Sequence, residues 1–184
     1  SFALKNRKWA PKEFMGVELF EKSLGIIGLG RIGSNVAERA RAFQMKILGY
    51  DPFITQERAK LLGVELVEMD DLLTRSDFIS LHTPGQADGS PLLGKEQFDQ
   101  MKSGVRIVNC ARGSLIDDNA LITAINENKV AGAALDVYHS EPLDLDSPLL
   151  QVNEIICTPH LGASTGEAQI KVATSMCDQI IDYL

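Results

Sequence analysis

Three side chains suited to acid–base chemistry on a carboxylic acid follow predicted strands in the second half of the chain. Arg112 follows a strand that ends at Asn109, Glu141 lies in the loop beyond Asp136, and His160 follows the last short strand. A guanidinium can hold a carboxylate through two parallel hydrogen bonds, and an imidazole can move a proton at neutral pH. A neighbouring carboxylate orients the imidazole and favours its protonated form. This set predicts hydride transfer between a 2-hydroxy acid and a 2-oxo acid.

Each of these residues also has an ordinary interpretation. A single arginine or glutamate in a loop is most often solvated, and His160 is equally compatible with a packing role. His82, at a strand end, and His139, in a polar loop, are interpreted as structural. The catalytic interpretation therefore depends on the loops meeting at one edge of a sheet.

A glycine-rich turn earlier in the chain predicts a nucleotide site. The pattern G-x-G-x-x-G is matched by Gly28-Leu29-Gly30-Arg31-Ile32-Gly33, between a buried-strand pattern and an amphipathic helix. We expect Gly28 to form the tight turn, Gly30 to let the backbone approach a pyrophosphate, and Gly33 to allow close helix–strand packing. The helix N-terminus adds free N–H groups and the positive end of its dipole.

An acidic residue after the second strand predicts which nucleotide binds. The strand Lys46–Tyr50 is followed by Asp51, eighteen positions after Gly33. A carboxylate there accepts hydrogen bonds from the ribose diol and repels a 2′-phosphate, so we expect NAD rather than NADP. An S-adenosylmethionine site also places an acid after its second strand. It uses a differently spaced glycine loop and ranks well behind.

A second glycine pattern is rejected as a nucleotide site. Gly89, Gly94 and Lys95 have the spacing of a P-loop. Glu96, however, occupies the position where a serine or threonine would hold magnesium, and Pro91 lies within the loop.

The elements that must position these residues alternate between short apolar strands and helices. Most of the strands are nearly continuous apolar runs, typical of a parallel sheet covered on both faces. The predicted strands are Leu24–Gly28, Lys46–Tyr50, Val64–Val67, Asp77–Leu81, Val105–Asn109, Ala131–Val137 and Glu154–Cys157. The alternation predicts right-handed βαβ units and a Rossmann-type, doubly wound α/β fold. The longest loops, Thr83–Gly94 and His139–Asn153, follow strand ends, where such sheets bind ligands.

Three predicted helices carry apolar residues at helical spacing. The segment Asp117–Asn128 begins with two acids, which favour a helix N-terminus. The apolar faces consist of Ile32, Val36, Ala40 and Phe43 in the first helix, Leu121, Ile122 and Ile125 in Asp117–Asn128, and Ala168, Val172, Met176, Ile180 and Leu184 in the last.

Composition excludes several classes of protein. The 184 residues carry a net charge of −7 and are 45% hydrophobic, as in a soluble globular protein. The basic cluster Lys5, Arg7, Lys8 and Lys12 is too small to indicate nucleic acid as a partner. No apolar run approaches the roughly eighteen residues of a membrane span, and the first residues have no signal-peptide core. We expect a cytoplasmic protein that binds neither nucleic acid nor membrane.

The three cysteines do not predict a metal or disulfide site. Cys110, Cys157 and Cys177 are odd in number and lack metal-ligand spacing. We expect reduced, mostly buried thiols in a reducing compartment, and no metal.

Several blocks of sequence together resemble the NAD-linked D-2-hydroxyacid dehydrogenases. These blocks are GLGRIG, Tyr50-Asp51-Pro52, His82-Thr83-Pro84, NCARG, AGAALDV and PHLGAST. The resemblance runs from about Trp9 to the last residue and implies NAD as the cofactor. It also implies an anionic 2-hydroxy or 2-oxo acid as the substrate.

The resemblance also implies roles for individual residues. Arg112 would bind the substrate's carboxylate and carbonyl, His160 would be the proton donor and acceptor, and Glu141 would be its partner. The cofactor-binding residues it implies are Gly28, Gly30, Arg31, Ile32, Gly33, Asp51, Pro52, Thr83, Pro84, Cys110, Ala111, Arg112, Asp136, His160, Gly162 and Ala163. The loop Gly85–Gly94 departs from the family, with Gly89 where a threonine often contacts the phosphates.

Members of this family build a substrate-binding domain from both chain ends, with the active site in the cleft between domains. Trp9 and Phe14-Met15-Gly16 already match the beginning of the family's nucleotide domain. We therefore expect residues 1–184 to form an excised dinucleotide-binding domain, with little turnover alone, that forms a homodimer in the full protein. The open alternatives are a dehydrogenase of a phosphorylated hydroxy acid, a glyoxylate- or lactate-type relative, and an NAD-sensing, corepressor-like interaction module.

Overall fold

Strands in the described part of the chain form one parallel sheet; the computed structural model describes residues 2–7, 9 and 15–183. The strands are β1 (Ser23–Ile27), β2 (Lys46–Tyr50), β3 (Glu65–Leu66), β4 (Phe78–Leu81), β5 (Val105–Asn109), β6 (Val130–Leu135) and β7 (Ile155–Cys157). Their order is β3-β2-β1-β4-β5-β6-β7, with every neighbouring pair parallel. The order reverses between β1 and β4, which is where open α/β sheets bind ligands.

Helices connect these strands, and short polar residues or glycine define several helix ends. The helices are α1 (Phe2–Lys5), α2 (Arg31–Ala42), α3 (Gln56–Leu62), α4 (Met69–Arg75), α5 (Lys95–Gln100), α6 (Asp118–Asn126) and α7 (Gly166–Tyr183). The side chain of Thr55 accepts a backbone hydrogen bond at the start of α3, and that of Asp117 does so at the start of α6. Gly63, in the left-handed conformation with φ 68°, ends α3.

Hydrophobic clusters cover both faces of the sheet. Ile26 of β1 belongs to one cluster with Ala37 of α2, on the face that also carries α3. Ile27 belongs to the other cluster with Leu72 of α4, together with residues of α5 and α6. Successive residues of a strand point to opposite faces, so β1 contributes to both cores. The predicted Rossmann-type, doubly wound α/β fold is confirmed.

The predicted buried face of α2 is confirmed in part, since Ala40 is buried and Val36 packs against the same cluster. Ile32 and Phe43 are 67% and 60% exposed, whereas Gly33, Ala37 and Ala40 are buried. A side chain at Gly33 would collide with the backbone carbonyl of Gly28, so α2 lies very close to β1. Only small residues fit in that contact, and the larger apolar residues that define the sequence pattern lie at its margin.

The two later helices form as predicted but bury different amounts of surface. In α6, Leu121 and Ile125 are buried and Ile122 packs partly against the same cluster. In α7 no residue is buried, and Val172 and Met176 are more than half exposed. Leu184, the last residue of the predicted α7 stripe, lies outside the described residues, as do Lys8, Lys12 and Phe14.

Two further expectations are corrected by the structure. The strand predicted as Ala131–Val137 ends at Leu135, so Asp136 lies just beyond it, where its carboxylate bonds a neighbouring turn. The thiols are not mostly buried, since Cys110 and Cys177 are exposed and only Cys157 is partly covered. Among the helices of the described residues, none is long and apolar enough to cross a membrane.

Candidate active site

The glycine turn lies between the end of β1 and the start of α2, and two of its glycines are required by packing. Gly28 has φ 94°, and a Cβ there would lie 2.6 Å from the carbonyl oxygen of His82. Gly33 is needed because α2 lies so close to β1 that a Cβ there would collide with the carbonyl of Gly28. A Cβ at Gly30, in contrast, would meet nothing within 4 Å. Space is therefore left over Gly30, at the N-terminus of α2, where a diphosphate would be stabilised.

Asp51, just beyond β2, is fixed against this turn by its backbone partners. Its Oδ2 accepts a hydrogen bond from the N–H of Leu29 at 2.7 Å, and its Oδ1 accepts one from the N–H of Phe53 at 2.9 Å. Each carboxylate oxygen can accept more than one hydrogen bond, so acceptor capacity remains for a pair of hydroxyl groups. The carboxylate is thus oriented before any ligand arrives.

A cleft of about 520 Å³ opens at the point where the strand order reverses. Six of the predicted cofactor residues line it: Gly28, Gly30, Asp51, Pro52, Thr83 and Pro84. Arg31 and Ile32 are exposed in the first turn of α2, beside the cleft, while Gly33 is buried beneath that turn.

Residues not assigned to the cofactor from the sequence also line this cleft, among them Phe53, His82 and Gln86. The position of Phe53, two residues after Asp51, was the available signal, and its side chain is 93% exposed. His82 lies with Nε2 2.8 Å from the hydroxyl of Ser80, and burial lowers the pKa of its imidazole. His82 therefore forms an uncharged part of the cleft wall.

His160 and Glu141 form a hydrogen-bonded pair. The imidazole Nδ1 of His160 lies 2.6 Å from Oε2 of Glu141, whose Oε1 accepts a hydrogen bond from the N–H of Tyr138 at 3.0 Å. The hydrogen bond with His160, followed by that of Tyr138, lowers the pKa of Glu141. Glu141 is therefore ionised at neutral pH and presents a fixed negative charge to Nδ1.

Arg112 shares a second cleft, of about 480 Å³, with this pair. Its loop is held by the buried Asn109 at the end of β5, whose Oδ1 accepts from the N–H of Ala111 at 3.0 Å. The amide of Asn109 donates to the carbonyl of Arg112 at 2.9 Å. The guanidinium is exposed and donates to the carbonyl of Ala111 at 2.6 Å. Arg112, Glu141 and His160 are thus brought together as predicted.

Asp136 holds the turn that carries His160. Its Oδ1 accepts hydrogen bonds from the hydroxyl of Thr158 at 2.6 Å and the N–H of Leu161 at 2.7 Å, and its Oδ2 accepts from the N–H of Gly162 at 2.9 Å. Burial alone would raise the pKa of Asp136, but these hydrogen bonds outweigh it and lower the pKa. His160 keeps φ 50°, a costly conformation for a non-glycine residue, because this turn is so firmly held.

The remaining predicted cofactor residues lie around the same turn and the neighbouring loop. Gly162 and Ala163 are exposed in the turn, and Cys110 is exposed directly after β5. Partial desolvation of its sulfur by the surrounding protein, and then the charge of Asp136, raise the pKa of Cys110. Sequence reasoning did not identify the supporting residues Asn109, Tyr138 and Thr158, because buried hydrogen bonds across the sheet leave no local pattern.

The fold and the glycine turn define a dinucleotide-binding protein of the Rossmann class. The family described as D-isomer specific 2-hydroxyacid dehydrogenase, NAD binding domain, matches residues 2–162. The chain belongs to this family, and NAD is its cofactor.

Curated relatives match nearly the whole chain. D-3-phosphoglycerate dehydrogenase of Archaeoglobus fulgidus is 48% identical over 98% of the chain, and that of Methanocaldococcus jannaschii is 50% identical over 97%. The enzyme of the same name from Bacillus subtilis is 46% identical over 100%. The chain spans only 34%, 34% and 35% of these three proteins, about a third of their length.

Solved structures of related enzymes share the fold. A glyoxylate reductase from Paecilomyes thermophila is 38% identical with a TM-score of 0.85, over 94% of this chain and 52% of that one. D-lactate dehydrogenase from Aquifex aeolicus, complexed with NAD and lactic acid, is 31% identical with a TM-score of 0.87, over 99% of this chain and 59% of that one.

Proposed function

We propose that the chain is the NAD-binding domain of a D-3-phosphoglycerate dehydrogenase. That enzyme oxidises 3-phosphoglycerate to 3-phosphohydroxypyruvate in the first step of serine biosynthesis. The observation that carries the proposal is the His160–Glu141 hydrogen bond in the cleft shared with Arg112. The 45–50% identity to D-3-phosphoglycerate dehydrogenases along the whole chain supports this substrate over other hydroxy acids.

The cofactor cleft fits NAD by the chemistry of its residues. The open space over Gly30 admits a diphosphate to the N-terminus of α2, and Asp51 is oriented to accept hydrogen bonds from a ribose diol. Gly28, Pro52, Thr83 and Pro84 would complete the wall. Bound NAD would supply the acceptor for a hydride from C2 of the substrate.

The residues of the second cleft would handle the proton and the charge of the substrate. Oxidation of the C2 hydroxyl releases a hydride from carbon and a proton from oxygen. Because Glu141 accepts from Nδ1 of His160, the neutral imidazole carries its proton there and leaves Nε2 unprotonated. His160 Nε2 would take the hydroxyl proton, and Glu141 would stabilise the imidazolium that results. Arg112 would bind the carboxylate.

The proposal is tested by turnover of the full-length protein with NAD and a panel of hydroxy acids. We expect kcat/KM for 3-phosphoglycerate to exceed that for D-lactate or glycolate by about ten-thousandfold or more, because these smaller acids leave polar groups of the substrate site without a partner. A preference for D-lactate or glycolate would support a lactate- or glyoxylate-type enzyme, which the solved structures of those enzymes favour as the second candidate.

A third outcome of the same test concerns the interaction module. NAD binding that changes the assembly state, with no turnover of any hydroxy acid, would support an NAD-sensing, corepressor-like protein instead. That result would contradict the catalytic roles of Arg112 and His160.

We also propose a cytoplasmic homodimer for the full protein. The exposed free thiols Cys110 and Cys177 favour a reducing compartment. The apolar surface that α7 leaves exposed, including Ile170 and Ile181, favours further contacts in the assembled protein. Sedimentation of the full-length protein tests the dimer, and a monomer at micromolar concentration would contradict it.

A further inference from the structure

The side chain of Tyr138 lies beneath the candidate proton-transfer pair. It is 8% exposed and packs in the hydrophobic cluster that contains Ile27 and Leu72. Its hydroxyl lies 2.8 Å from the carbonyl oxygen of Thr158 and 3.1 Å from that of Leu135. The single hydroxyl proton is thus shared between two carbonyls, at the ends of β6 and β7.

The carbonyl of Thr158 is the point where this hydroxyl meets the His160 turn. It also accepts the backbone N–H of His160 at 3.0 Å, while the N–H of Thr158 donates to Leu135 at 3.0 Å. The hydroxyl of Tyr138 therefore donates a hydrogen bond to the same carbonyl that accepts the N–H of His160, and so helps to hold His160 in its left-handed conformation.

The backbone of the same residue holds the other member of the pair. The N–H of Tyr138 donates to Oε1 of Glu141 at 3.0 Å, which leaves Oε2 directed at His160. One residue therefore contacts both segments, through its backbone on one side and its hydroxyl on the other.

The hydroxyl of Tyr138 keeps its proton and therefore remains a hydrogen-bond donor. Burial, followed by the neighbouring Cys157, raises the pKa of Tyr138 to about 12. It remains protonated throughout the range in which the pair would work. A phenylalanine would fill the same volume, so the hydroxyl is the part of the side chain that core packing does not require.

We propose that Tyr138 is a positioning residue for the His160–Glu141 pair, with its hydroxyl fixing the His160 turn and its N–H fixing the Glu141 carboxylate. The inference rests on the proposed function, because it gives the pair its role in proton transfer. Tyr138 itself touches neither substrate nor cofactor in this account.

Tyr138→Phe tests the proposal, with Tyr183→Phe as the matched control, since Tyr183 is 92% exposed on α7. The ring remains, so we expect Tyr138→Phe to fold with a melting temperature only a few degrees lower. Without the hydroxyl the His160 turn is held less firmly, so the hydrogen bond between His160 and Glu141 should weaken. A carbon-13 NMR titration of the Glu141 carboxyl in the chain itself should therefore show its pKa moving up towards the ordinary value. The other charged or titratable groups around the pair remain in place in this variant, namely Arg112, His139, Asp136 and Cys157.

Turnover by the full-length protein provides the second readout. We expect kcat to fall roughly three- to tenfold in Tyr138→Phe, the effect of one neutral hydrogen bond, with KM for NAD unchanged. Tyr183→Phe should match the wild type in both readouts. If Tyr138→Phe keeps both the wild-type Glu141 titration and the wild-type kcat, the positioning role is wrong.

The two readouts separate this inference from the proposed function. A shifted Glu141 titration in a protein whose wild type turns over no hydroxy acid supports the positioning and contradicts the function. Normal turnover of 3-phosphoglycerate with no effect of Tyr138→Phe supports the function and contradicts the positioning.

Discussion

The Nδ1 atom of His160 lies 2.6 Å from Oε2 of Glu141, although the two residues are nineteen positions apart in the chain. The contact arises because β6 and β7 are adjacent and parallel, so the loops that follow them emerge at the same edge of the sheet. Arg112 reaches that edge from β5, the neighbour of β6 on its other side. The topology of the sheet therefore assembles three residues that are remote in sequence.

His160→Ala in the full-length protein should abolish most turnover while leaving cofactor affinity nearly intact. Removal of a general acid–base group typically lowers kcat by about a hundred- to ten-thousandfold. NADH affinity, measured by fluorescence titration, should stay within about twofold, because the Gly28–Asp51 cleft is untouched. The control is Glu38→Ala, at an exposed residue of α2 outside both clefts, which should keep the wild-type kcat. Near-normal kcat in His160→Ala would contradict the assignment.

Gly33→Ala and Gly30→Ala should impair different properties, the first the stability of the fold and the second the binding of NADH. At Gly33 the new methyl group would strike the carbonyl of Gly28, so we expect a loss of stability of about 2–4 kcal/mol or failure to fold. At Gly30 it would enter open space, so the fold should survive with its melting temperature nearly unchanged. NADH binding should nevertheless weaken at least about tenfold, because the methyl group occupies the space proposed for the diphosphate. Unchanged NADH affinity in Gly30→Ala would contradict that placement.

Asp136→Asn should destabilise the chain at neutral pH by about 1–3 kcal/mol, since a buried ionised acceptor of three hydrogen bonds is replaced. The folded-state pKa of Asp136 lies below its ordinary value of 3.8. Its stabilisation is therefore fully present above about pH 4 to 5 and is lost as the pH falls through the folded-state pKa.

Thermal melts of wild type and Asp136→Asn at pH 7 and pH 3 check this expectation. The difference in melting temperature should be large at pH 7 and smaller at pH 3. The surface substitution Asp182→Asn, at an exposed residue of α7, is the control measured alongside. A difference that grows on acidification would mean that the pKa is raised, against the geometry of the turn.

The order of strands and helices, and the site residues that follow strand ends, could be predicted from the sequence because both have local signatures. Apolar runs, glycine spacing and the acid at Asp51 depend on backbone geometry that short segments determine. The faces of helices were harder to predict. Ile32 and Phe43 are apolar at the right spacing, yet α2 lies so close to the sheet that only Gly33 and small neighbours fit.

The supporting contacts of the site could not be derived from the sequence. Asn109 and Tyr138 act through buried hydrogen bonds to other loops, and which loops they meet depends on the sheet order. Asp136 could be placed near the cofactor only by resemblance, whereas the structure shows both its oxygens bound by the His160 turn.

The most direct test of the account is a parallel calorimetric titration of the chain with NADH and NADPH, repeated with Asp51→Arg. We expect saturable NADH binding that is clearly tighter than NADPH binding, because the Asp51 carboxylate accepts from a ribose diol and repels a 2′-phosphate. In Asp51→Arg, NADH binding should weaken and NADPH binding should improve relative to it. Binding of neither cofactor by the wild type, or an unchanged preference in Asp51→Arg, would contradict the central role of this cleft.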